Sequence, residues 1–185
     1  MSVATIRTKI RNLLEDSSKT VKDIFTYESS SIFSLSESNV IAITTVFKNS
    51  VELADSLYSY DTDTNKVTIS TSLTGGDTIE IDYTSYLNYS QTELTEYIQS
   101  ALVHLSINNY YDFEYDVDDD AIYPDPEPRE ENLIAIVSSI LISPDNKSIR
   151  LPDITINVPN DLPLNDKIGK TIAHFKKDTA GIFFV

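Results

Sequence analysis

One stretch, residues 73–107, constrains the fold most because it joins a strand directly to a helix. A Gly-Gly-Asp turn at 75–77 precedes a segment in which apolar and polar side chains alternate, as they do along a strand with one buried face. The apolar set is Ile79, Ile81 and Tyr83, and the polar set is Thr78, Glu80 and Asp82. The alternation predicts a strand over residues 78–84.

A helix is predicted to follow over about residues 91–109. Ser90 and Glu93 have the spacing of a capping box, in which each side chain accepts a hydrogen bond from the backbone of the other residue. Apolar residues then recur at helical spacing: Leu94, Tyr97, Ile98, Ala101, Leu102 and Leu105. A strand that leads straight into such a helix indicates a β module attached to a helical core.

Three further helices are predicted, at 3–15, 129–142 and 164–177. The helix at 129–142 is apolar on nearly every side, so we expect it to be deeply buried, and Pro144 ends it. The other two carry apolar stripes, which are Ile6, Ile10, Leu13 and Leu14 in the first and Leu164, Ile168, Ile172 and Phe175 in the last.

Residues 28–84 lack helical periodicity and are rich in Ser, Thr, Val, Ile and Tyr. Short strands are predicted there near 31–35, 39–47, 56–60, 66–71 and 78–84, with a hairpin tip at 61–65. We expect this segment to form a small antiparallel β-sandwich or barrel inserted into the helical scaffold. The predicted organisation is a helical body at 1–27 and 85–178, a β module at 28–84 and a tail at 179–185.

Two other segments are expected to be extended. Residues 111–128 form an acidic linker that ends in three alternating prolines, a pattern typical of a stiff, extended chain. Residues 149–158 have the pattern of a short strand or an extended arm.

Composition limits the classes of function. The 185 residues are 41% hydrophobic, which is enough for a core, and no run of about 18 apolar residues suggests a membrane span. There is no cysteine, so disulfides and thiolate chemistry are excluded. The net charge of −15 argues against binding nucleic acid through its phosphates. It is compatible with the wall of a channel that DNA passes through, and equally with solubility alone.

The charges are unevenly distributed. Residues 111–131 hold ten acidic residues and one basic residue, with Asp118, Asp119 and Asp120 in a row. The last predicted helix carries the four lysines Lys167, Lys170, Lys176 and Lys177. Opposite charges at two places on one subunit are suited to contacts between subunits, so these residues are candidate subunit-contact or channel charges.

The chain given ends in large apolar residues. Gly181 is followed by Ile182, Phe183, Phe184 and Val185. This segment could fold back onto the chain's own core, or it could add a strand to the sheet edge of a partner.

No pattern of residues indicates catalysis or metal binding. The two histidines, His104 and His174, stand alone on predicted helices, where packing or surface roles are more common. The segment that starts at Asp61 begins like a calcium loop, but its sixth position is Lys66 and its twelfth is Ser72. The segment that starts at Asp112 fails in the same way. We therefore expect no enzyme activity, metal or cofactor.

The order of these elements resembles the neck adaptor proteins of tailed bacteriophages, also called head–tail connector or head-completion proteins. The features that carry the resemblance are the helix at 3–15, the strand-to-helix junction of residues 76–105, the helices at 129–142 and 164–177, and the extended tail. The β insertion is longer than the minimal pattern of that family.

The resemblance implies a structural protein of the virion neck, assembled in the host cytoplasm. Adaptors of this kind form a homo-oligomeric ring, commonly of twelve copies, beneath the portal protein. The ring extends the channel through which DNA passes without specific binding, and it docks other neck or tail proteins. By this resemblance residues 181–185 would be the portal-docking tail, and no membrane would be involved.

Other classes stay open on the sequence alone. A tail-terminator, decoration or baseplate subunit of a virion could share the β content. A carbohydrate-binding module would use the sandwich, although the chain has no Trp for a sugar platform. A hydrolase with an acidic site would depend on residues such as Asp118 and Asp120.

Overall fold

The computed structural model describes residues 3–145, 148–151, 154–157 and 162–180, and the side chains of 3–145 and 162–176 within them. The fold is mixed α+β, with four α-helices and antiparallel sheets among these residues. Two compact units are present. Residues 17–90 form the β unit, and residues 3–16 together with the chain from residue 91 onward form the helical unit. The predicted α+β class is therefore confirmed.

The four helices are close to the predicted ones: α1 is Val3–Leu14, α2 is Gln91–Ile107, α3 is Pro128–Ile142 and α4 is Leu164–Ala180. Their buried faces are the predicted apolar stripes. Half-buried members of those stripes are Leu13, Leu14, Tyr97 and Leu164. Helix α3 buries residues on every side, from Leu133 through Ile140. At its start, the Glu130 carboxylate accepts a hydrogen bond of 2.8 Å from the Glu127 backbone amide.

The strands of the β unit are β1 Ser18–Thr26, β2 Ile32–Ser34, β3 Val40–Lys48, β4 Val51–Glu52, β5 Tyr58–Asp61, β6 Lys66–Ile69 and β7 Thr78–Tyr86. They form two antiparallel sheets, with strand orders β1-β7-β3-β4 and β2-β6-β5. The predicted alternation along β7 is confirmed, because Ile79, Ile81 and Tyr83 are each 0% exposed. They join Phe33 and Val67 of the second sheet in one hydrophobic core.

The β unit includes more of the sequence than the predicted module at 28–84. Strand β1 lies within the predicted helical body at 1–27, but it pairs with β7 along its whole length, from Ser18 opposite Tyr86 to Thr26 opposite Thr78. The prediction missed β1 because two of its inward positions are the charged residues Lys19 and Asp23. As an edge strand it buries no residue completely, so its apolar alternation is weak.

The acidic segment is a hairpin rather than an extended linker. Strand β8, Glu114–Asp116, pairs with β9, Ala121–Tyr123. The Asp116 carboxylate accepts a hydrogen bond from the backbone amide of Asp118 at 2.9 Å. This turn, closed by the Asp116 side chain, reverses the direction of the chain. Composition and proline content did not predict the reversal.

The expected extended arm at 149–158 is also a hairpin, formed by β10, Ser148–Leu151, and β11, Ile154–Asn157. The tail was predicted at 179–185, but Thr179 and Ala180 are the last residues of α4. Residues 181–185 lie outside the described residues. Within the described part of the chain, no helix has both the length and the apolar character needed to cross a membrane.

Candidate interaction groove

An open groove lies on the helical unit between α2 and the segment that leads into the acidic hairpin. Its volume is about 650 Å³. The apolar part of its lining is Leu102, Val103, Ile107, Phe113 and Val117, and two carboxylates, Asp112 and Glu114, lie among them. Because the apolar residues are contiguous and bordered by charge, the groove has the character of a surface for binding another apolar element.

Three of the apolar side chains of the groove are well exposed. Val103 is 57% exposed, Ile107 is 70% exposed and Val117 is 75% exposed. Val103 and Ile107 are four residues apart, so they form a ridge on one side of α2. The opposite side of the same helix buries Leu94 and Ile98 completely. Helix α2 is thus apolar on two sides, of which one packs in the core and one faces the groove.

Two local contacts fix the segment between α2 and the hairpin. The Ser106 hydroxyl donates a hydrogen bond of 2.6 Å to the Asp112 carboxylate. The rings of Tyr111 and Phe113 pack with their centroids 4.7 Å apart, and Phe113 is only 8% exposed. The buried Phe113 therefore anchors this wall of the groove to the helical unit.

Arg7 of α1 holds the hairpin in place from a distant part of the sequence. Its guanidinium donates hydrogen bonds of 2.7 and 2.6 Å to the two carboxylate oxygens of Asp120. The same group donates to the Thr95 hydroxyl of α2 at 3.0 and 2.5 Å. The Tyr115 hydroxyl adds a third donor to Asp120 at 2.8 Å. One arginine thus joins α1, α2 and the hairpin.

These contacts change the acidity of the groups involved. The Arg7 hydrogen bonds lower the pKa of Asp120 below its usual value, against the opposing effect of partial burial. Burial, reinforced by the neighbouring Asp120 carboxylate, raises the pKa of Tyr115. Both groups therefore keep their hydrogen-bonding forms, carboxylate and phenol, around neutral pH.

Of the predicted acidic triplet, Asp118 and Asp119 are exposed, whereas Asp120 is committed to Arg7. The Asp119 carboxylate accepts a hydrogen bond of 3.3 Å from the Tyr123 hydroxyl. This leaves Asp118 and Asp119 as surface charges at the tip of the hairpin. Asp120 instead has a structural role within the subunit, which differs from the predicted one.

The predicted lysine patch is divided. Lys167 is 3% exposed, and its ammonium group donates a hydrogen bond of 2.5 Å to the Pro144 carbonyl oxygen, so it is not a surface charge. The position of Lys167 in the sequence pattern could not show this, because the carbonyl comes from the segment that follows α3. Lys170 and Lys176 are exposed, and Lys176 donates to the Asn108 carbonyl at 2.6 Å. The side chain of Lys177 lies outside the described part.

The segment that starts at Asp61, which begins like a calcium loop, is a turn closed by the Asp61 side chain. The Asp61 carboxylate accepts hydrogen bonds from the Asp63 amide at 2.9 Å and from the Thr64 hydroxyl at 2.7 Å. These bonds, that from the Thr64 hydroxyl foremost, lower the pKa of Asp61. Across the part of the chain that the structure describes, no group of three or more His, Asp or Glu side chains is placed to hold a metal ion.

The groove is not predicted by the sequence patterns. A signal for half of it was present, because Val103 and Ile107 lie at helical spacing on the side of α2 opposite the predicted stripe. The other half had no local signal, since Phe113 and Val117 are brought to α2 by the hairpin.

The sequence matches no protein-family model and no curated protein. The groove and the exposed charges are therefore interpreted from their own chemistry.

Proposed function

We propose that this chain is a structural subunit of a tailed virus particle, which forms a ring between the portal and the tail. The observation that carries the proposal is the groove, an exposed apolar surface on a chain that is otherwise strongly acidic. Subunits of this kind function through the contacts they make with one another and with neighbouring proteins, and a ring of twelve copies is the assembly we expect.

The form of the groove supports an assembly role. Three large apolar side chains, Val103, Ile107 and Val117, are each more than half exposed in the single subunit. Such clusters commonly mark protein contacts, because covering them removes apolar surface from water. A ring needs two different complementary surfaces on each subunit, and the groove is a candidate for one of them.

The charges support the same role in a weaker way. Asp118 and Asp119 project from the hairpin tip, and Lys170 and Lys176 are exposed on α4. Contacts between such groups on adjacent subunits would guide association and would be weakened by salt. The excess of negative charge would keep passing DNA from adhering to the channel.

Residues 181–185 are the proposed portal-docking segment. Four of them are large and apolar, and they follow Gly181, so they could fill pockets on the portal protein. Other neck or tail proteins would then bind the opposite side of the ring.

Mixing the purified chain with the portal protein of the same virus tests the proposal. The expected result is a complex with one ring of this chain on each portal, resolved by mass photometry and negative-stain electron microscopy. Ile107→Asp should reduce ring formation, whereas Val51→Asp, at a similarly exposed position in β4, should not. A folded wild-type chain that fails to join the portal under any salt condition would contradict the proposal.

A further inference from the structure

We propose that the groove holds the chain's own residues 182–185 in the isolated subunit. These residues lie outside the described part of the structure, and their docking in the groove does not depend on the proposed function. If the segment also docks on a portal, then the groove and the portal compete for it.

The chemistry of the two partners matches. The groove exposes Val103, Ile107 and Val117 beside the buried ring of Phe113. The segment offers four successive large apolar side chains, Ile182 to Val185. The groove volume of about 650 Å³ falls within the range of roughly 300–1,000 Å³ that is typical of ligand clefts. A short apolar peptide therefore suits it in both size and polarity.

The C-terminal part of α4 lies next to the segment that forms one wall of the groove. Lys176 donates to the Asn108 carbonyl oxygen, one residue beyond α2. Lys176 also lines a small cleft together with Tyr110, Tyr111 and Glu130. Since the Tyr111 ring packs on Phe113 of the groove, the cleft beside Lys176 adjoins the groove.

The apolar segment follows closely after the part of α4 that contacts the residues beside the groove. Helix α4 ends at Ala180, and five residues of the sequence follow it. An extended segment of that length spans at most about 18 Å, so its last residues reach furthest from the helix. Lys176 precedes the end of the helix by only four residues, about 6 Å along the helix axis. The proposal requires the chain to turn back after α4, and glycine, the residue type at position 181, permits sharp turns.

A binding experiment with a synthetic peptide tests this inference. A chain that ends at Ala180 leaves the groove empty, and a fluorescently labelled peptide of residues 178–185 is the probe. We expect the peptide to bind this shortened chain at least about tenfold more tightly than it binds the full chain. In the full chain the covalently attached segment would already occupy the groove.

Two substitutions in the shortened chain locate the binding. Ile107→Asp places a charge in the groove and should abolish peptide binding. Val51→Asp changes a residue of similar exposure in the β unit and should leave binding unchanged. Both positions are well exposed, so circular dichroism should show that both variants keep the wild-type fold.

Several results would overturn the inference. They are no binding to the shortened chain, equal binding to the shortened and full chains, and binding that Ile107→Asp does not affect. A full chain that dimerises through residues 182–185 in sedimentation would also overturn it, since the occupant would then be a second copy. Portal docking is measured separately, so a chain that fails to join the portal leaves this test intact.

Discussion

The guanidinium of Arg7 binds both carboxylate oxygens of Asp120 across 113 positions of the sequence, at 2.7 and 2.6 Å. The Arg7 side chain is 13% exposed, and that of Asp120 is 46% exposed. This pair positions the acidic hairpin beside α2, and the hairpin contributes Val117 to the groove. The groove therefore depends on a contact made by the first helix.

Arg7→Met, which keeps the aliphatic stem, should destabilise the helical unit by about 1–2 kcal/mol. Hydrogen bonds to charged groups contribute about 1.5–3 kcal/mol, and the exposure of Asp120 reduces this contribution. Amide hydrogen exchange should accelerate in residues 114–123. As a control, Lys22→Met removes the exposed pair with Glu80 in the β unit and should cost clearly less than Arg7→Met, because solvent screens exposed pairs. Unchanged exchange in the hairpin of Arg7→Met would show that Arg7 does not hold it.

Tyr83→Phe should destabilise the β unit by about 1–2 kcal/mol, because several hydrogen bonds meet at one hydroxyl. That hydroxyl donates to the Asp23 carboxylate at 3.0 Å and lies 3.0 Å from the Ser36 hydroxyl. It also accepts a bond of 3.2 Å from the Glu37 amide. Urea unfolding measures the loss.

Tyr60→Phe is the matched control for this measurement. The Tyr60 hydroxyl makes a hydrogen bond of 2.9 Å with the Asn65 side chain. Tyr60→Phe should therefore cost less than Tyr83→Phe, and the reverse order would contradict the role assigned to the Tyr83 hydroxyl.

Asp77 should make the stability of the β unit sensitive to acid. Hydrogen bonds from the Thr74 amide, the Asn49 side chain and Lys48 lower the pKa of Asp77 from 3.8 to about 2. Because the folded-state pKa is the lower one, the carboxylate stabilises the fold fully above about pH 4 and loses this effect as the pH falls toward 2.

Urea unfolding of wild type and Asp77→Asn at several pH values checks this effect. The difference in stability between the two proteins should be constant from pH 7 to about 4 and should shrink between pH 4 and 2. A difference that stays constant down to pH 2 would show that ionisation of Asp77 does not stabilise the fold.

Substitutions of two isoleucines of α2 should distinguish effects on folding from effects on binding. Ile98 is 0% exposed and Ile107 is 70% exposed. Ile98→Ala should cost about 2–5 kcal/mol because it leaves a cavity in the core. Ile107→Ala should change stability by less than about 0.5 kcal/mol and should weaken contacts made through the groove. Thermal unfolding and peptide binding, measured on both variants, check this separation.

The parts of the fold that the sequence predicts best are those whose pattern is local and strong. Strand β7 alternates strictly, and α3 is apolar on every side, so both were predicted within about two residues. Strand β1 was missed because Lys19 and Asp23 occupy inward positions of an edge strand. Its identity as a strand depends on pairing with β7, sixty residues later in the chain, and not on its own pattern.

The site was less predictable because its parts come from distant positions. Arg7, Thr95 and Asp120 meet in one hydrogen-bonded cluster, and no spacing rule relates them. The burial of Lys167 was not predicted for the same reason, because its ammonium group is bound by the carbonyl oxygen of Pro144, a residue distant in the sequence. Local patterns show where charged residues occur along the chain, but only the packing of the helices shows which of them are exposed at the surface.

The central claim is the proposed place of this chain in the neck of a tailed virus, and cryo-electron microscopy of particles from the source of the sequence tests it most directly. The proposal predicts a ring of this chain at the head–tail junction, with twelve copies in contact with the portal and the groove covered in the assembly. A particle whose neck lacks the chain would contradict the proposal, as would the chain's presence only in another part of the particle.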